Sequence, residues 1–288
     1  MTTLTSFRLS EDHLAELDRA CTQVRRSWIP LLGVGRDEFP LPTLGPLLER
    51  VACDLDRAPG HVVVAGVPTP VSENDLRLTL WGLGRHLGVA VPQDTTGRLV
   101  RWSDTLDDAF RTGGSDVTAL LSFDHRRTVG LVRTRELYDE IACRRPDLAE
   151  LLFTPVPFAA TGEPGYRMLA LACWKDGRLS MRYDRDAIDR AQRDPGAPIL
   201  SCRHRELLDL VDSLLPVLEQ EISLEAGDLL LVNNHEVLHS LRPCGAGLLR
   251  LWLTLRDGRP LPSSYLWPTP TYGETGGRGG VTPRDVIH

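Results

Sequence analysis

Apolar residues at helical spacing divide much of the chain into amphipathic segments. Residues 10–24 place leucine and cysteine three and four positions apart behind Ser10, a residue type that caps helix N-termini. The same periodicity recurs between short apolar runs along the rest of the sequence. Helices are therefore predicted over residues 10–24, 44–56, 72–88, 133–152, 187–193 and 203–222.

Short aliphatic and β-branched runs predict strands, with Asp176 and Gly177 between two of them as a hairpin turn. These runs cover residues 61–66, 117–123, 166–174, 178–183, 227–234 and 248–256. Strands and helices do not alternate as β-α-β units, so the pattern favours an α+β fold with antiparallel sheets. We expect one domain over residues 1–270 and a flexible, glycine-rich tail over residues 271–288.

Composition narrows the class of protein. With 42% hydrophobic and 25% charged residues and a net charge of −6, the chain is expected to be globular, and nucleic acid is not an expected partner. No long apolar run or signal-like N-terminus occurs, which predicts a cytoplasmic protein with no membrane partner. The six cysteines are scattered without a CxxC pair, so neither structural zinc nor a disulfide framework is expected.

Candidate functional residues lie on or next to the last two predicted strands. His239 follows one strand, and Arg250 lies eleven residues later on the next, in "GDLLLVNNHEVLHSLRPCGAGLLRLWL". With "VVVAGVP", "LWGLGRHLGVAVPQ", "GGSDVTALL" and "DGRLSMRYDRDAIDRAQR" in the same order, this sequence resembles the taurine dioxygenase and clavaminate synthase-like (TauD/TfdA) branch of the iron(II)/2-oxoglutarate oxygenases. The resemblance implies a double-stranded β-helix, a jelly-roll core with flanking helices.

The resemblance also implies roles for individual residues. His239 matches the distal histidine of the family's 2-His-1-carboxylate iron site, and Arg250 matches the arginine that binds 2-oxoglutarate. Relatives carry Phe-His-Thr-Asp where this chain has Phe110, Arg111, Thr112 and Gly113. A guanidinium offers no lone pair and glycine has no side chain, so neither can ligate iron.

We therefore expect no metal ligand, apart from His239 if iron binds after all, and no cofactor. Arg111 carries about the same +1 charge as an iron(II) ion with one aspartate ligand, and so could keep the pocket attractive to anions. Arg111 and His239 are the expected catalytic residues, with His239 moving a proton at neutral pH. The expected substrate-binding residues are Arg250, Arg182, Tyr183, Ser115 and Asp116, and His235 is expected to be structural.

Rival ligand sets were considered within the same region. The nearby acids provide no His-x-Asp or His-x-Glu pair, and His125 lies beyond the strand that a ligand should precede; the acids are Asp104, Asp107, Asp108, Asp116 and Asp124. A glycine at the carboxylate position alone would suggest a halogenase, in which chloride takes the vacancy. Arg111 weakens that interpretation, because halogenases keep both histidines.

Three functions remain open from the sequence. The first is a metal-independent enzyme of specialised metabolism that isomerises, cyclises, cleaves or transfers groups on a small anionic substrate. The second is an active iron(II)/2-oxoglutarate hydroxylase or halogenase with atypical ligands, which would need both cofactors. The third is a non-catalytic pseudoenzyme or partner subunit; homo-oligomerisation is left open in each case.

Overall fold

The computed structural model describes residues 5–57, 59–69, 72–94, 96–102, 109–124, 126–159, 165–241, 247–266 and 279–280. Of the predicted tail, only Gly279 and Gly280 belong to this described part. The prediction of a flexible tail over 271–288 therefore falls almost entirely outside the described residues. Within them, no helix is both long enough and apolar enough to cross a membrane.

Seven α-helices in the described chain follow the amphipathic segments. Ser10 caps the first helix as expected, since its hydroxyl accepts a hydrogen bond from the main-chain N–H of His13 at 3.3 Å. Ser72 caps the third in the same way, and Gly88 ends it. The helices are α1 Glu11–Ser27, α2 Leu44–Asp54, α3 Glu73–Leu87, α4 Thr134–Arg144, α5 Pro146–Ala149, α6 Arg185–Ala191 and α7 Cys202–Leu218.

Fourteen β-strands are seen in the described chain, more than the sequence predicts. They are β1 Ser6–Arg8, β2 His61–Ala65, β3 Val89–Ala90, β4 Val100–Trp102, β5 Val117–Ser122, β6 Arg127–Arg133, β7 Val156–Ala159, β8 Tyr166–Leu169, β9 Ala172–Lys175, β10 Arg178–Met181, β11 Gln220–Leu224, β12 Leu229–Asn233, β13 Val237–Leu241 and β14 Leu248–Thr254. The hairpin predicted at Asp176 and Gly177 joins β9 to β10, with positive φ at both residues.

Two facing sheets form the core. The larger runs β1-β2-β12-β5-β14-β3, with β4 also pairing with β14, and the smaller runs β11-β6-β13. Nearly all of these pairs are antiparallel, and aliphatic side chains from both sheets meet in one buried cluster that includes Leu120, Leu230, Val129 and Leu131. The α+β class and the jelly-roll core expected from the sequence are confirmed.

The predicted helix over 203–222 ends earlier than expected. Helix α7 stops at Leu218, and Gln220–Leu224 instead forms β11, which pairs antiparallel with β6. Its pairing partner lies far away in sequence, so the hydrogen bonds of a sheet edge override a helical pattern that continues locally through this segment.

Candidate functional site

Arg111 forms an isolated antiparallel bridge to His239 on β13, at the edge of the smaller sheet. The main-chain N–H of Arg111 donates to the carbonyl of His239 at 3.0 Å, and the N–H of His239 donates back at 2.9 Å. Two residues that exchange both hydrogen bonds lie directly opposite each other and point their side chains to the same face. On its other side, Arg111 pairs with Asp184, and the N–H of Thr112 donates to the carbonyl of Tyr183 at 2.9 Å.

His239 is a neutral imidazole in the interior of the core. Only 5% of the residue is exposed, and its Nδ1 atom has no hydrogen-bond partner within the described chain. Burial, followed by the positive charges of Arg250 and Arg111, lowers the pKa of His239 to about 3. The sequence predicts a proton-transferring histidine with an ordinary pKa, whereas the structure makes His239 a weak base.

Arg250 lies on β14 opposite Leu120, which belongs to the aliphatic cluster between the sheets. Its Nε donates to Oε1 of Gln93 at 2.6 Å, and its Cζ lies 5.3 Å from the centre of the Trp252 ring. The amide group of Gln93 in turn donates to the carbonyls of Arg250 and Leu99, at 2.8 and 2.7 Å. These contacts fix the direction of the guanidinium before any ligand binds, which is what an arginine needs to hold a carboxylate in a defined geometry.

Gly113, which the sequence resemblance aligns with the family's carboxylate ligand, lies in a space filled by other side chains. Its N–H donates to Oδ1 of Asn234 at 2.9 Å, and the hydroxyl of Thr118 donates to the same oxygen at 3.1 Å. A Cβ added to Gly113 would overlap Oγ1 of Thr118 and lie 2.7 Å from Nδ2 of Asn234. The structure therefore leaves no room for a side chain at this position without moving a hydrogen-bonded pair.

The side chains of Ser115 and Asp116 form hydrogen bonds with other groups of the protein. The Ser115 hydroxyl donates to the carbonyl of Val117 at 2.9 Å. Asp116 is buried, with Oδ1 2.9 Å from Nε2 of His235 and Oδ2 accepting from the N–H of Leu255 at 2.9 Å. Their predicted contact with substrate stays a prediction, while the structural role expected for His235 fits this geometry.

Arg182 and Tyr183 lie next to the Arg111 segment but use their side chains elsewhere. Tyr183 is buried and its hydroxyl donates to Asp212 on α7; burial first and then Asp212 raise the pKa of the phenol. The guanidinium of Arg182 lies 3.9 Å from the centre of the Tyr265 ring and donates to the carbonyl of Tyr265. Tyr183 supports the site through its main chain, which holds Thr112.

The three residues that link β12 to β13 connect the site to its surroundings. Asn234 binds the Gly113 segment, His235 binds Asp116, and Glu236 forms an ion pair with buried Arg259. Sequence reasoning missed Asn234 and Gln93 as site residues. A signal for Asn234 does exist, because the unbroken polar run "NNHE" between two apolar strands is longer than a tight turn requires.

No group of three or more histidine, cysteine or acidic side chains that could hold a metal ion occurs among the described residues. His239 is the imidazole that this part of the chain places beside Arg111 and Arg250. Four of the rival ligands considered from the sequence fall outside the described residues, namely Asp104, Asp107, Asp108 and His125.

Comparison with known proteins identifies relatives of the chain. No family model matches it. It is 26% identical to FR-33289 synthase of Streptomyces rubellomurinus (strain ATCC 31215) over 304 residues, covering 90% of this chain and 88% of that protein. This similarity agrees with the resemblance to the TauD/TfdA-like iron(II)/2-oxoglutarate oxygenases that the sequence motifs indicate.

Solved structures share the fold at low sequence identity. The non-heme iron oxygenase OrfP in complex with Fe and alpha-ketoglutaric acid superimposes with a TM-score of 0.63 at 18% identity, covering 86% of this chain and 94% of OrfP. Asparagine oxygenase in complex with Fe(II), 2S,3S-3-hydroxyasparagine and succinate gives 0.66 at 14% identity, covering 86% of this chain and 93% of that chain.

These relatives confirm one expectation and correct another. They are a synthase and oxygenases, so the prediction of an enzyme is confirmed. The prediction that no cofactor is involved is wrong. Structures with this fold hold Fe and alpha-ketoglutaric acid, or Fe(II) and succinate, which points to iron and 2-oxoglutarate as the cofactors to consider.

Proposed function

We propose that this protein is a biosynthetic enzyme that uses 2-oxoglutarate and modifies a small polar metabolite, as an atypical member of the oxygenase class to which its relatives belong. The observation that supports the proposal is the orientation of the Arg250 guanidinium. Gln93 and Trp252 fix this orientation near the neutral imidazole of His239. Relatives with this fold were solved with alpha-ketoglutaric acid or its product succinate, which supports the choice of ligand.

The residues present fit 2-oxoglutarate. Arg250 can bind the distal carboxylate through a two-pronged, charge-assisted hydrogen bond, and the aliphatic cluster that includes Leu120 and Leu248 lies beneath the site. The buried Nδ1 of His239, which has no protein partner in the described chain, offers a further polar contact. When bound, 2-oxoglutarate would supply two electrons to dioxygen, the oxidant, as it loses carbon dioxide and becomes succinate.

The described residues do not fit the three-ligand iron site of the family. Arg111 has no lone pair to give, Gly113 has neither a side chain nor space for one, and only His239 remains of the three positions. We therefore derive no reaction step through iron. In this proposal Arg250 holds an anion, and His239 places an uncharged imidazole beside it. Arg111 adds a second positive charge to the site.

The test measures iron content, cosubstrate turnover and binding separately. We expect 2-oxoglutarate to bind the purified protein, and succinate formation is measured separately, with and without anaerobic loading with iron(II) followed by exposure to oxygen. Replacing Arg250 (Arg250→Gln) should weaken binding by about 10-fold to 100-fold, because a hydrogen bond to a charged group is lost. Arg205→Gln, which changes an exposed arginine on α7, is the matched control.

Each outcome of this test decides between named functions. Failure to bind 2-oxoglutarate, or binding that Arg250→Gln leaves unchanged, would overturn the proposal. Conversion of a substrate without succinate would favour the non-oxidative chemistry considered from the sequence. Co-purification with an active oxygenase and no turnover alone would favour a partner subunit.

A further inference from the structure

We propose that Arg259 is a positioning residue for the site: it holds the β12–β13 turn, residues 234–236, in the place from which Asn234 and His235 fix the segment that begins with Arg111. The inference rests on the proposed function for its ligand, 2-oxoglutarate. It adds a residue that acts on the site through other residues, from the loop that follows β14.

Arg259 is almost completely buried and joins its own loop to three other parts of the chain. Only 3% of the residue is exposed. Its Nε donates to Oδ1 of Asp56, just after α2, at 2.6 Å, and its Nη2 donates to Oε1 of Glu236 in the turn. Its Nη1 donates to the carbonyl of Leu179 at 2.8 Å and to the hydroxyl of Ser180 at 3.2 Å, both on β10. A buried guanidinium with two carboxylate partners resists displacement, because moving it would leave unpaired charges inside the protein.

Asp56 extends the same network to the other end of the turn. Its Oδ1 also accepts from Nδ2 of Asn233, the last residue of β12, at 3.2 Å. The Oδ1 atom of Asn233 in turn accepts the N–H of His235 at 2.9 Å. The network therefore holds both ends of the turn, one through Asn233 and the other through Glu236.

The turn contacts residues 111–116, the segment that begins with Arg111. Oδ1 of Asn234 accepts from the N–H of Gly113, and the main-chain N–H of Asn234 donates to the carbonyl of Asp116, both at 2.9 Å. Nε2 of His235 lies 2.9 Å from Oδ1 of Asp116. The turn thus connects the buried ion pairs of Arg259 to this segment.

The same turn continues directly into β13, which carries His239. It is therefore attached to both partners of the Arg111–His239 bridge, to one through the chain and to the other through hydrogen bonds. Binding sites need their groups held within about 0.5 Å of the productive geometry. Loss of Arg259 should therefore loosen residues 111–116 and weaken ligand binding.

Hydrogen exchange of the full chain tests this contact without any ligand. Arg259→Gln should speed exchange in peptides covering residues 110–118 by about 10-fold relative to peptides from β2, which corresponds to about one hydrogen bond. Glu16→Gln is the matched control, because Glu16 is also buried and accepts main-chain hydrogen bonds, from Thr43 at 3.0 Å and Leu44 at 3.1 Å. This control should leave the relative exchange of residues 110–118 unchanged.

Calorimetric titration with 2-oxoglutarate separates position from stability. Arg259→Gln should raise the dissociation constant by about 5-fold to 10-fold, and Arg259→Lys should recover part of the affinity. The double variant Arg259→Gln, Glu236→Gln removes a carboxylate that the single variant leaves without its guanidinium. Its melting temperature should therefore exceed that of Arg259→Gln, while its dissociation constant stays raised. An affinity that simply follows the melting temperature across these variants would overturn the positioning role.

If Arg259→Gln does not fold, Glu236→Gln decides the matter alone, since it keeps the shape of the side chain and weakens only the charged contact. It should speed exchange over residues 110–118 and raise the dissociation constant by about 3-fold. Unchanged values of both would show the inference to be wrong.

The two proposals fail in different ways. If the wild-type protein binds no 2-oxoglutarate, the proposed function fails, while faster exchange over residues 110–118 in Arg259→Gln still supports the positioning role. If the wild-type protein binds 2-oxoglutarate, and Arg259→Gln changes exchange and affinity no more than Glu16→Gln does, the positioning role is wrong and the proposed function stands.

Discussion

Asn234 holds Gly113 through a hydrogen bond of 2.9 Å, and this contact fills the space at a glycine that the sequence resemblance aligns with the family's metal-binding carboxylate. The same Asn234 oxygen accepts from Thr118, and its amide nitrogen donates to the carbonyl of Ser115 at 2.9 Å. A neutral hydrogen-bonded group occupies the volume that a carboxylate would need.

This relationship predicts that Gly113 does not tolerate even a methyl group. Gly113→Ala should lower the free energy of unfolding by about 1–3 kcal/mol, as overpacking of a filled interior does. Urea denaturation measures the change. Gly196→Ala is the control, because the nearest atom to an added Cβ at that exposed turn is a side-chain oxygen of Asp194 at 3.3 Å. Equal effects of the two substitutions would contradict the assigned crowding.

The Asn234–Gly113 contact also predicts that substituting the family's iron ligands at positions 111 and 113 does not produce an iron site. The double variant Arg111→His, Gly113→Asp should be less stable than Arg111→His alone, because the aspartate must displace Thr118 and Asn234. Iron content after anaerobic loading and dialysis, together with the melting temperature, measures this. Stoichiometric iron in a fully stable double variant would show that the surrounding space is open after all.

The sequence predicted the fold where local patterns are strong. Capped amphipathic helices and the Asp176–Gly177 hairpin are visible in short windows and agree with the structure. Strands β6, β11 and β13 were missed, because each is stabilised by pairing with residues far away in sequence. His239 consequently lies within a strand and not just beyond one.

The site was predicted only in part for the same reason. Resemblance to relatives identified His239, Arg250 and the substituted positions. Gln93 and Asn234, which fix the geometry, act on residues 157 and 121 positions away. Nor could the sequence give the pKa of His239, because that shift depends on burial and on two guanidiniums brought together by folding.

Gln93 should control the affinity of the Arg250 site without contacting the ligand's reacting atoms. Gln93→Leu removes the acceptor of the Arg250 Nε hydrogen bond and lets the guanidinium adopt other directions. We expect the dissociation constant for 2-oxoglutarate to rise by about 5-fold to 10-fold, on the order of one net hydrogen bond. Gln192→Leu, in a helix-capping turn away from the pocket, is the control. An unchanged dissociation constant would remove Gln93 from the site.

Stability of the EDTA-treated protein should fall in acid because of His239. The pKa of His239 is about 3 when folded and near 6.5 when unfolded, so between these values the unfolded state binds more protons. Stability from this residue is present above pH 6.5 and is lost as pH falls, by up to about 1.4 kcal/mol per pH unit. His239→Gln should flatten this dependence in urea titrations at pH 4–7. Parallel curves for the two proteins would contradict a buried neutral histidine.

Gly279 and Gly280 contact the site segment from the far end of the chain. The N–H of Gly280 donates to the carbonyl of Gly114 at 2.7 Å, and a Cβ on Gly279 would lie 2.6 Å from Cα of Ser115. Gly279 also has a φ of +125°, which disfavours any side chain. We expect Gly279→Ala to weaken this contact, to lower the melting temperature, and to weaken 2-oxoglutarate binding, because Gly114 packs against the Trp252 ring beside Arg250.

A second glycine isolates the packing part of that effect. Gly165 has a φ of +97° and no atom within 4 Å of an added Cβ, so Gly165→Ala carries the backbone strain without the crowding. The excess loss of stability in Gly279→Ala over Gly165→Ala should be about 1–3 kcal/mol, the usual cost of overpacking. If the two variants lose equal stability and both keep wild-type affinity for 2-oxoglutarate, the contact with Gly114 does not support the pocket.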